Sequence, residues 1–260
     1  MTEKRIVLIS GAASGIGRRI AERFLEQGDD VHICDASEKA VVDFLAVNNR
    51  ATASIADIGD RKSVDGLFAD ISKRHDHLDV LINNAGVAGP VGPVEDLDED
   101  EWSDCLQVNL SGSFYMTKRA VPLLRKSSAA SIVNIASTAG LMGCPNRSPY
   151  VATKWAQIGL TKTWAMELGP EGIRVNAVCP TSVDGARIDR VIDGEANQRG
   201  MTADEIREVY LRQTSMRSFA TPDEVADTVL FLASDQSRRI SGQALAVDGH
   251  TEGFLNWLDK

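Results

Sequence analysis

Two side chains suited to proton transfer lie four residues apart, Tyr150 and Lys154. Residues at this spacing share one face of a helix. An ammonium group close to a phenol stabilises the phenolate and lowers its pKa from about 10. Such a tyrosine can exchange a proton with an alcohol or a carbonyl near neutral pH. An ordinary amphipathic helix with a solvated lysine would show the same spacing. Motifs elsewhere in the sequence are therefore needed to distinguish a catalytic pair from such a helix.

The elements that would position this pair are visible in the sequence. Ser148 is a suitable helix N-cap and Pro149 suits the first helical position, which predicts a helix through residue 168. Ser137 follows the apolar run 131–136, which is typical of a buried strand. We therefore expect the Ser137 hydroxyl at a strand end beside Tyr150, where it could hold the same substrate oxygen.

A glycine-rich turn near the start of the chain predicts a dinucleotide site. The apolar run 5–10 predicts a strand, and a helical pattern and a second strand, 31–34, follow the glycines before Asp35. Glycines let the backbone approach a diphosphate, and the following helix offers free N–H groups. Asp35 would accept hydrogen bonds from the adenosine ribose and repel a 2′-phosphate. The turn therefore predicts NAD, bound by residues that include Gly11, Gly15 and Gly17.

Alternation of short apolar strands with helical segments continues along the chain. It predicts a single α/β domain over residues 1–260, with a doubly wound parallel sheet covered by helices on both faces. Residues 99–125 read as one long helix. Residues 182–219 are polar and irregular, with 202–211 as their best helix, and follow strand six at the edge where ligands bind. We expect them to form a mobile substrate lobe.

Composition excludes several classes of function. The net charge is −9 with interspersed signs, which argues against nucleic acid as a partner. No segment approaches the roughly 20 apolar residues of a membrane span, and no signal peptide is recognisable. The four cysteines and four histidines show no metal-ligand spacing. We expect a cytoplasmic protein with no metal, no membrane association and reduced thiols.

Together these motifs resemble the short-chain dehydrogenase/reductase family. The resemblance rests on the glycine turn, Asp57, the run 83–86, Asn109, Ser137, the Tyr150–Lys154 pair and residues 248–249. It implies a seven-stranded Rossmann-type sheet and a homotetramer. It also implies roles: Tyr150 as acid/base, Lys154 on the nicotinamide ribose, Ser137 on the substrate oxygen, and Asn109 holding a water that links Lys154 to solvent. The remaining residues predicted to contact NAD are Ser14, Ile16, Asp57, Ile58, Asn83, Ala85, Gly86, Pro180 and Val183.

The substrate is less clearly indicated. Arg147 and Arg187 could bind an anionic group, although most arginines of the lobe are expected to pair with acidic neighbours. The first hypothesis is oxidation of a sugar or other polyhydroxy alcohol, either neutral or acidic, for example at the anomeric carbon to a lactone. One alternative is a 3-oxoacyl-[acyl-carrier-protein] reductase, and another is a non-catalytic dinucleotide-sensing protein. The apolar tail, residues 250–260, is expected to dock on a neighbouring subunit.

Overall fold

One parallel sheet forms the centre of the molecule in the computed structural model, which describes residues 4–253. Its seven strands run in the order β3-β2-β1-β4-β5-β6-β7, and every neighbouring pair is parallel. The strands are β1 Ile6–Ser10, β2 Asp30–Asp35, β3 Thr52–Ile55, β4 Val80–Asn83, β5 Ser131–Ile135, β6 Arg174–Pro180 and β7 Ala244–Val247. The predicted doubly wound α/β sheet is confirmed.

Helices cover both faces because successive strand residues point to opposite sides. Val7 and Ile9 of β1 belong to a core shared with α1, α2 and α9, whereas Leu8 faces a core shared with α3, α5 and α6. The helices are α1 Gly15–Glu26, α2 Glu38–Val47, α3 Arg61–Arg74, α4 Glu99–Leu106, α5 Ser113–Leu124, α6 Ser148–Leu168, α7 Ala186–Arg199, α8 Ala203–Arg212 and α9 Pro222–Leu232. The carboxyl ends of all seven strands lie at one edge of the sheet, where ligands bind in folds of this kind.

Two predictions about helices near the site are wrong in detail. The single helix expected over residues 99–125 is divided by a π-helical segment, Gln107–Gly112, which separates α4 from α5. Ser148 is the first residue of α6 rather than its N-cap, and Arg147 occupies the cap without a side-chain capping hydrogen bond. The chain enters α6 through Asn146, whose φ of 60° turns the backbone sharply just before the helix.

Residues 182–219 are more regular than the sequence indicated. They contain α7 as well as α8, and α8 begins with a capping box between Thr202 and Glu205. The two helices share a small core of their own, made of Ile188, Ile192, Ala196, Ile206, Tyr210 and Phe219. The lobe joins the main body where Val183 and Ala220 form a parallel bridge.

No helix within residues 4–253 is long and apolar enough to cross a membrane. The same residues contain no group of three or more metal-ligating side chains. All four cysteines are free. The apolar end of the predicted docking tail, residues 254–260, lies outside the described residues.

Candidate active site

Tyr150 and Lys154 come together on the first turns of α6, as their spacing predicts. The Lys154 Nζ lies 5.5 Å from the centroid of the Tyr150 ring. Ser137 lies two residues after the end of β5 and caps a short 3₁₀ turn, with its Oγ accepting a hydrogen bond from the Ala139 amide. Its hydroxyl also lowers the pKa of the Tyr150 phenol. The three predicted chemical groups therefore meet at the carboxyl edge of the sheet.

Opposing effects set the acidity of the Tyr150 phenol. Burial raises its pKa, but the positive charge of Lys154 lowers it, and Arg187, the Ser137 hydroxyl and Arg147 lower it further. The net pKa lies below the ordinary value for tyrosine. A phenol in this environment releases its proton more easily than in water, as an acid/base group near neutral pH requires.

Lys154 is almost completely buried, so its ammonium must be stabilised by the protein. Burial lowers the pKa of Lys154, and the nearby Tyr150 raises it. Its Nζ donates to the Ile135 carbonyl at 2.8 Å and to the Gln157 Oε1 at 3.0 Å. An ammonium has three N–H groups. The third remains for another acceptor in the cleft, which fits the ribose role implied by the resemblance.

Asn109 lies in the π-helical segment and is fully buried. Its Oδ1 accepts a hydrogen bond from the Val87 amide, and its Nδ2 donates to the Val87 carbonyl. Its backbone carbonyl accepts hydrogen bonds from Gln157 Nε2 at 3.0 Å and from Ser113 Oγ at 3.1 Å. The group that connects Asn109 with Lys154 in this molecule is therefore the Gln157 side chain.

The glycine turn is shaped for a close approach of backbone and ligand. A Cβ at Gly17 would lie 2.3 Å from both the Asn84 Nδ2 and the Gly11 carbonyl, so no larger residue fits there. Gly15 has a φ of 57° and would meet nothing within 4 Å, so its backbone borders open space. Ser14 provides no side-chain cap to α1, which leaves N–H groups of the first turn available. These features fit a dinucleotide diphosphate.

Asp35 ends β2 beside this turn. Its Oδ2 accepts a hydrogen bond from the Ala13 amide and its Oδ1 from the Ser37 amide. Both contacts hold the carboxylate at the sheet edge, one strand away from the glycines. This is the position from which it can accept hydrogen bonds from a ribose.

The other predicted cofactor residues divide into two groups. Ser14 and Asp57 are exposed, while Ile16, Ala85, Gly86 and Val183 are accessible in part along the same edge. Asn83, predicted to line the cleft, is 1% exposed, and its amide donates to Thr117 Oγ1 and Asn134 Oδ1 inside the protein. Ile58 and Pro180 are also buried. Their side chains therefore support the cleft from behind.

Arg147 and Arg187 both act on Tyr150, from different elements. The Arg147 guanidinium lies 4.9 Å from the centroid of the Tyr150 ring and donates to the Ala88 carbonyl. Its Nε is buried and has no hydrogen-bond partner. Arg187 is exposed in the first turn of α7, and among residues 4–253 no ion pair holds it. By contrast, Arg207 pairs with Asp184 and Asp189.

Sequence reasoning missed one polar residue at the centre of this site. Gln157 is 1% exposed and lies three residues after Lys154, on the same face of α6. Ser113 and Thr153, both buried, complete the polar cluster around Asn109. A polar residue three positions after Lys154 on an inward-facing helix was the available signal.

Comparisons with known proteins identify the family. A family model described as Enoyl-(Acyl carrier protein) reductase matches residues 11–251. The chain belongs to the short-chain dehydrogenase/reductase family. It is 39% identical to a trans-4-hydroxycyclohexanecarboxylate dehydrogenase of Sinomonas cyclohexanicum, over 95% of this chain and 92% of that one. It is 33% identical to a 3beta-hydroxysteroid dehydrogenase of Mediterraneibacter gnavus (98% and 96%) and to a 3-oxoacyl-[acyl-carrier-protein] reductase of Thermotoga maritima (95% and 97%).

Solved structures agree with the family and with the cofactor. A xylitol dehydrogenase bound to NAD+ superposes with a TM-score of 0.90 at 28% identity, covering 95% of this chain and 98% of that one. A Thermoplasma acidophilum aldohexose dehydrogenase superposes with a TM-score of 0.86 at 33% identity, covering 95% and 93%. The protein is thus an oxidoreductase of alcohols and carbonyls, and NAD is the cofactor that the comparisons support.

Proposed function

We propose that the protein oxidises a secondary alcohol with NAD, and that the alcohol belongs to a sugar or other ring-shaped polyhydroxy compound with a carboxylate. The observation behind this proposal is the pair of guanidinium groups beside Tyr150. Arg147 has a buried, unpartnered Nε, and Arg187 is close enough for its charge to lower the pKa of Tyr150. Planar guanidinium groups bind carboxylates well.

The relatives support this substrate class. The Sinomonas relative is named for a ring alcohol that bears a carboxylate. Two structural neighbours are named for a polyol and an aldohexose. A sugar acid combines both descriptions, and oxidation at its anomeric carbon to a lactone is one concrete reaction.

The proposed mechanism uses the groups at the edge of the sheet. Tyr150, as the phenolate, accepts the hydroxyl proton of the alcohol while the Ser137 hydroxyl donates to the same oxygen. Lys154 stabilises the phenolate and directs its remaining N–H to the nicotinamide ribose. When bound, NAD supplies the acceptor for the hydride. Gly11, Ser14, Gly15, Ile16 and Gly17 would hold the diphosphate, Asp35 the ribose and Asp57 the adenine.

The experiment compares matched acidic and neutral substrates. NADH formation is followed with glucuronate against glucose, and with 4-hydroxycyclohexanecarboxylate against the corresponding methanol derivative. In at least one pair, we expect kcat/KM to be higher for the acid than for its neutral partner. Arg147→Gln or Arg187→Gln should lower kcat/KM for the acid roughly tenfold, which corresponds to the loss of one hydrogen bond to a charged group. Arg190→Gln is the control, because Arg190 is exposed and lies on α7 together with Arg187. Equal use of acid and neutral partners by all variants would contradict the carboxylate assignment.

A second candidate is reduction of a 3-oxoacyl thioester on a carrier protein. The Thermotoga relative favours it. Asp35 at the ribose position and the net charge of −9 disfavour NADPH and an acidic carrier. Reduction of an acetoacetyl thioester with NADPH, faster than any alcohol oxidation with NAD, would establish it instead. Binding of NADH without turnover of any substrate would favour the dinucleotide-sensing alternative.

We also propose a cytoplasmic homotetramer. Three large apolar side chains on α5 and α6 are exposed in the single chain: Phe114 at 44%, Trp155 at 51% and Met166 at 80%. Contact with a second copy would remove this surface from water. Light scattering of the wild type and of Trp155→Glu tests the proposal, and an unchanged mass of one chain in both would contradict it.

A further inference from the structure

The Gln157 side chain lies between Lys154 and Asn109, the two residues that a proton relay would connect. Its side chain spans from the Lys154 ammonium to the Asn109 carbonyl, with N–O distances of 3.0 Å at both ends. All three residues are at most 4% exposed. The resemblance assigns a water to this position.

The chemistry of its neighbours fixes the orientation of the Gln157 amide. An ammonium only donates, so Oε1 must face Lys154. Nε2 then faces two acceptors, the Asn109 carbonyl and the Ser113 Oγ, the latter at 3.1 Å. Ser113 in turn donates its hydroxyl proton to the Asn109 carbonyl. Every polar atom of the amide has a partner, and the Asn109 carbonyl accepts two hydrogen bonds from side chains.

This arrangement has two consequences for Lys154. The Gln157 oxygen stabilises the charged form of a buried ammonium, which burial alone would disfavour. It also occupies one N–H, and the Ile135 carbonyl occupies a second, so only one direction is left for the cofactor. An amide passes on a proton far less readily than a water, because both of its N–H bonds stay in place.

We propose that Gln157 is a positioning residue that holds Lys154 charged and aimed at the nicotinamide ribose, and that it takes the place of the relay water. The proposal rests on the proposed function, since it assigns the chemistry to Tyr150 and Lys154. The path from Lys154 to Asn109 is thereby interrupted, so the proton of Tyr150 must leave by another route. The role is specific to the amide, because an apolar side chain of equal length provides no acceptor for Lys154.

The test compares three variants of α6. Gln157→Met keeps the volume without the acceptor, Gln157→Ala opens space for a water, and Thr161→Val removes a different buried polar group one turn later. We expect Gln157→Met to lower kcat about ten- to a hundredfold, the range of a hydrogen bond to a charged group. In the pH profile of kcat for this variant, the fall in rate on the acid side should move to higher pH. KM for the alcohol should stay nearly unchanged. Gln157→Ala should be less stable but more active than Gln157→Met.

Two measurements do not depend on turnover. Titration of the tyrosinate absorbance, taken as the difference between each protein and its Tyr150→Phe form, should show a higher pKa for Tyr150 in Gln157→Met. NADH titration by fluorescence should show weaker binding in that variant and no change in Thr161→Val. If the Tyr150 pKa and NADH affinity stay at wild-type values, or if kcat follows thermal stability across the three variants, the proposal is wrong. A wild type that binds NADH but oxidises no alcohol would contradict the proposed function, while the tyrosinate titration would still decide the role of Gln157.

Discussion

The cofactor edge and the substrate lobe are held in very different ways. At the cofactor edge, the Gly11 amide donates to the Cys34 carbonyl, and the Asn84 side chain donates to the Ser10 and Gly11 carbonyls. Three neighbouring strands therefore fix the turn. The lobe rests on its own small core, on the bridge between Val183 and Ala220, and on the Ser215 and Met216 amides, which donate to the His250 and Gly249 carbonyls. We therefore expect the dinucleotide site to be as stable as the sheet and the lobe to open at a lower free energy.

The two regions also carry different parts of the function. Relatives 33–39% identical over nearly the whole chain are named for a steroid, a ring acid and an acyl thioester. A cofactor edge fixed by backbone pairing can stay the same while the residues above it change. We therefore expect changes at the edge to affect chemistry with every substrate, and changes in the lobe to affect selectivity.

The largest effect is expected from Tyr150→Phe. Loss of the acid/base group should lower kcat about a thousandfold, within the usual range for general acid–base catalysis. NADH binding should persist, because the phenyl ring and Lys154 remain. Steady-state kinetics and an NADH titration check this, with Tyr115→Phe on α5 as the control. Near-normal turnover in Tyr150→Phe would exclude the assigned role.

A matched pair of cavities tests the independence of the lobe. Ile9 in β1 and Ile206 in α8 are both 0% exposed. Ile9→Ala should lower the free energy of unfolding by about 2–5 kcal/mol. Ile206→Ala should instead raise KM for the alcohol and speed hydrogen exchange in residues 184–219, with global unfolding less affected. Equal losses of global stability would show that lobe and sheet unfold as one unit.

Acid should destabilise the sheet through His32. This buried ring contacts Thr52 Oγ1 and Ser54 Oγ, and burial, with smaller contributions from Arg74 and His75, lowers its pKa to about 4. The unfolded chain therefore binds a proton at higher pH than the folded one. We therefore expect this contribution to stability to be fully present above about pH 6.5 and to fall by about 3 kcal/mol as the pH drops to 4. Denaturation curves recorded between pH 4 and 7 measure this dependence. The unfolding free energy of His32→Val should no longer fall with pH in this way, while that of His75→Gln should still do so.

The smallest effect is expected from the charge of Arg187 on Tyr150. Arg187 lowers the pKa of the phenol, so Arg187→Gln should raise it and move the acid limb of oxidation to higher pH. With a neutral alcohol, the oxidation rate on the acid side of the profile should fall roughly two- to fivefold, which matches the interaction energy of one exposed charge. The pH profile of kcat/KM measures this shift, and Arg190→Gln should leave it in place. A limb at unchanged pH would mean that Arg187 affects only substrate binding.

The sequence predicted the sheet, the Tyr150–Lys154 pair and the glycine turn because each rests on local spacing. It missed α7, although Ile188, Ile192 and Ala196 have the required helical spacing, because charged residues and Gly194 obscure it. The π-helical segment and the role of Gln157 depend on contacts between α5 and α6. The pattern of α6 marks Gln157 as a polar residue on an inward face, but it does not reveal the partners of Gln157 on the neighbouring segment.

The bridge at Val183 and Ala220 places the exit and the return of the chain side by side on the main body. A segment that begins and ends at adjoining points can be shortened, lengthened or replaced without any strand of the sheet having to move. This junction is therefore the natural boundary for transplanting a substrate-recognition region from one relative to another. A chimera joined there would keep its nucleotide preference and acquire the selectivity of the donor.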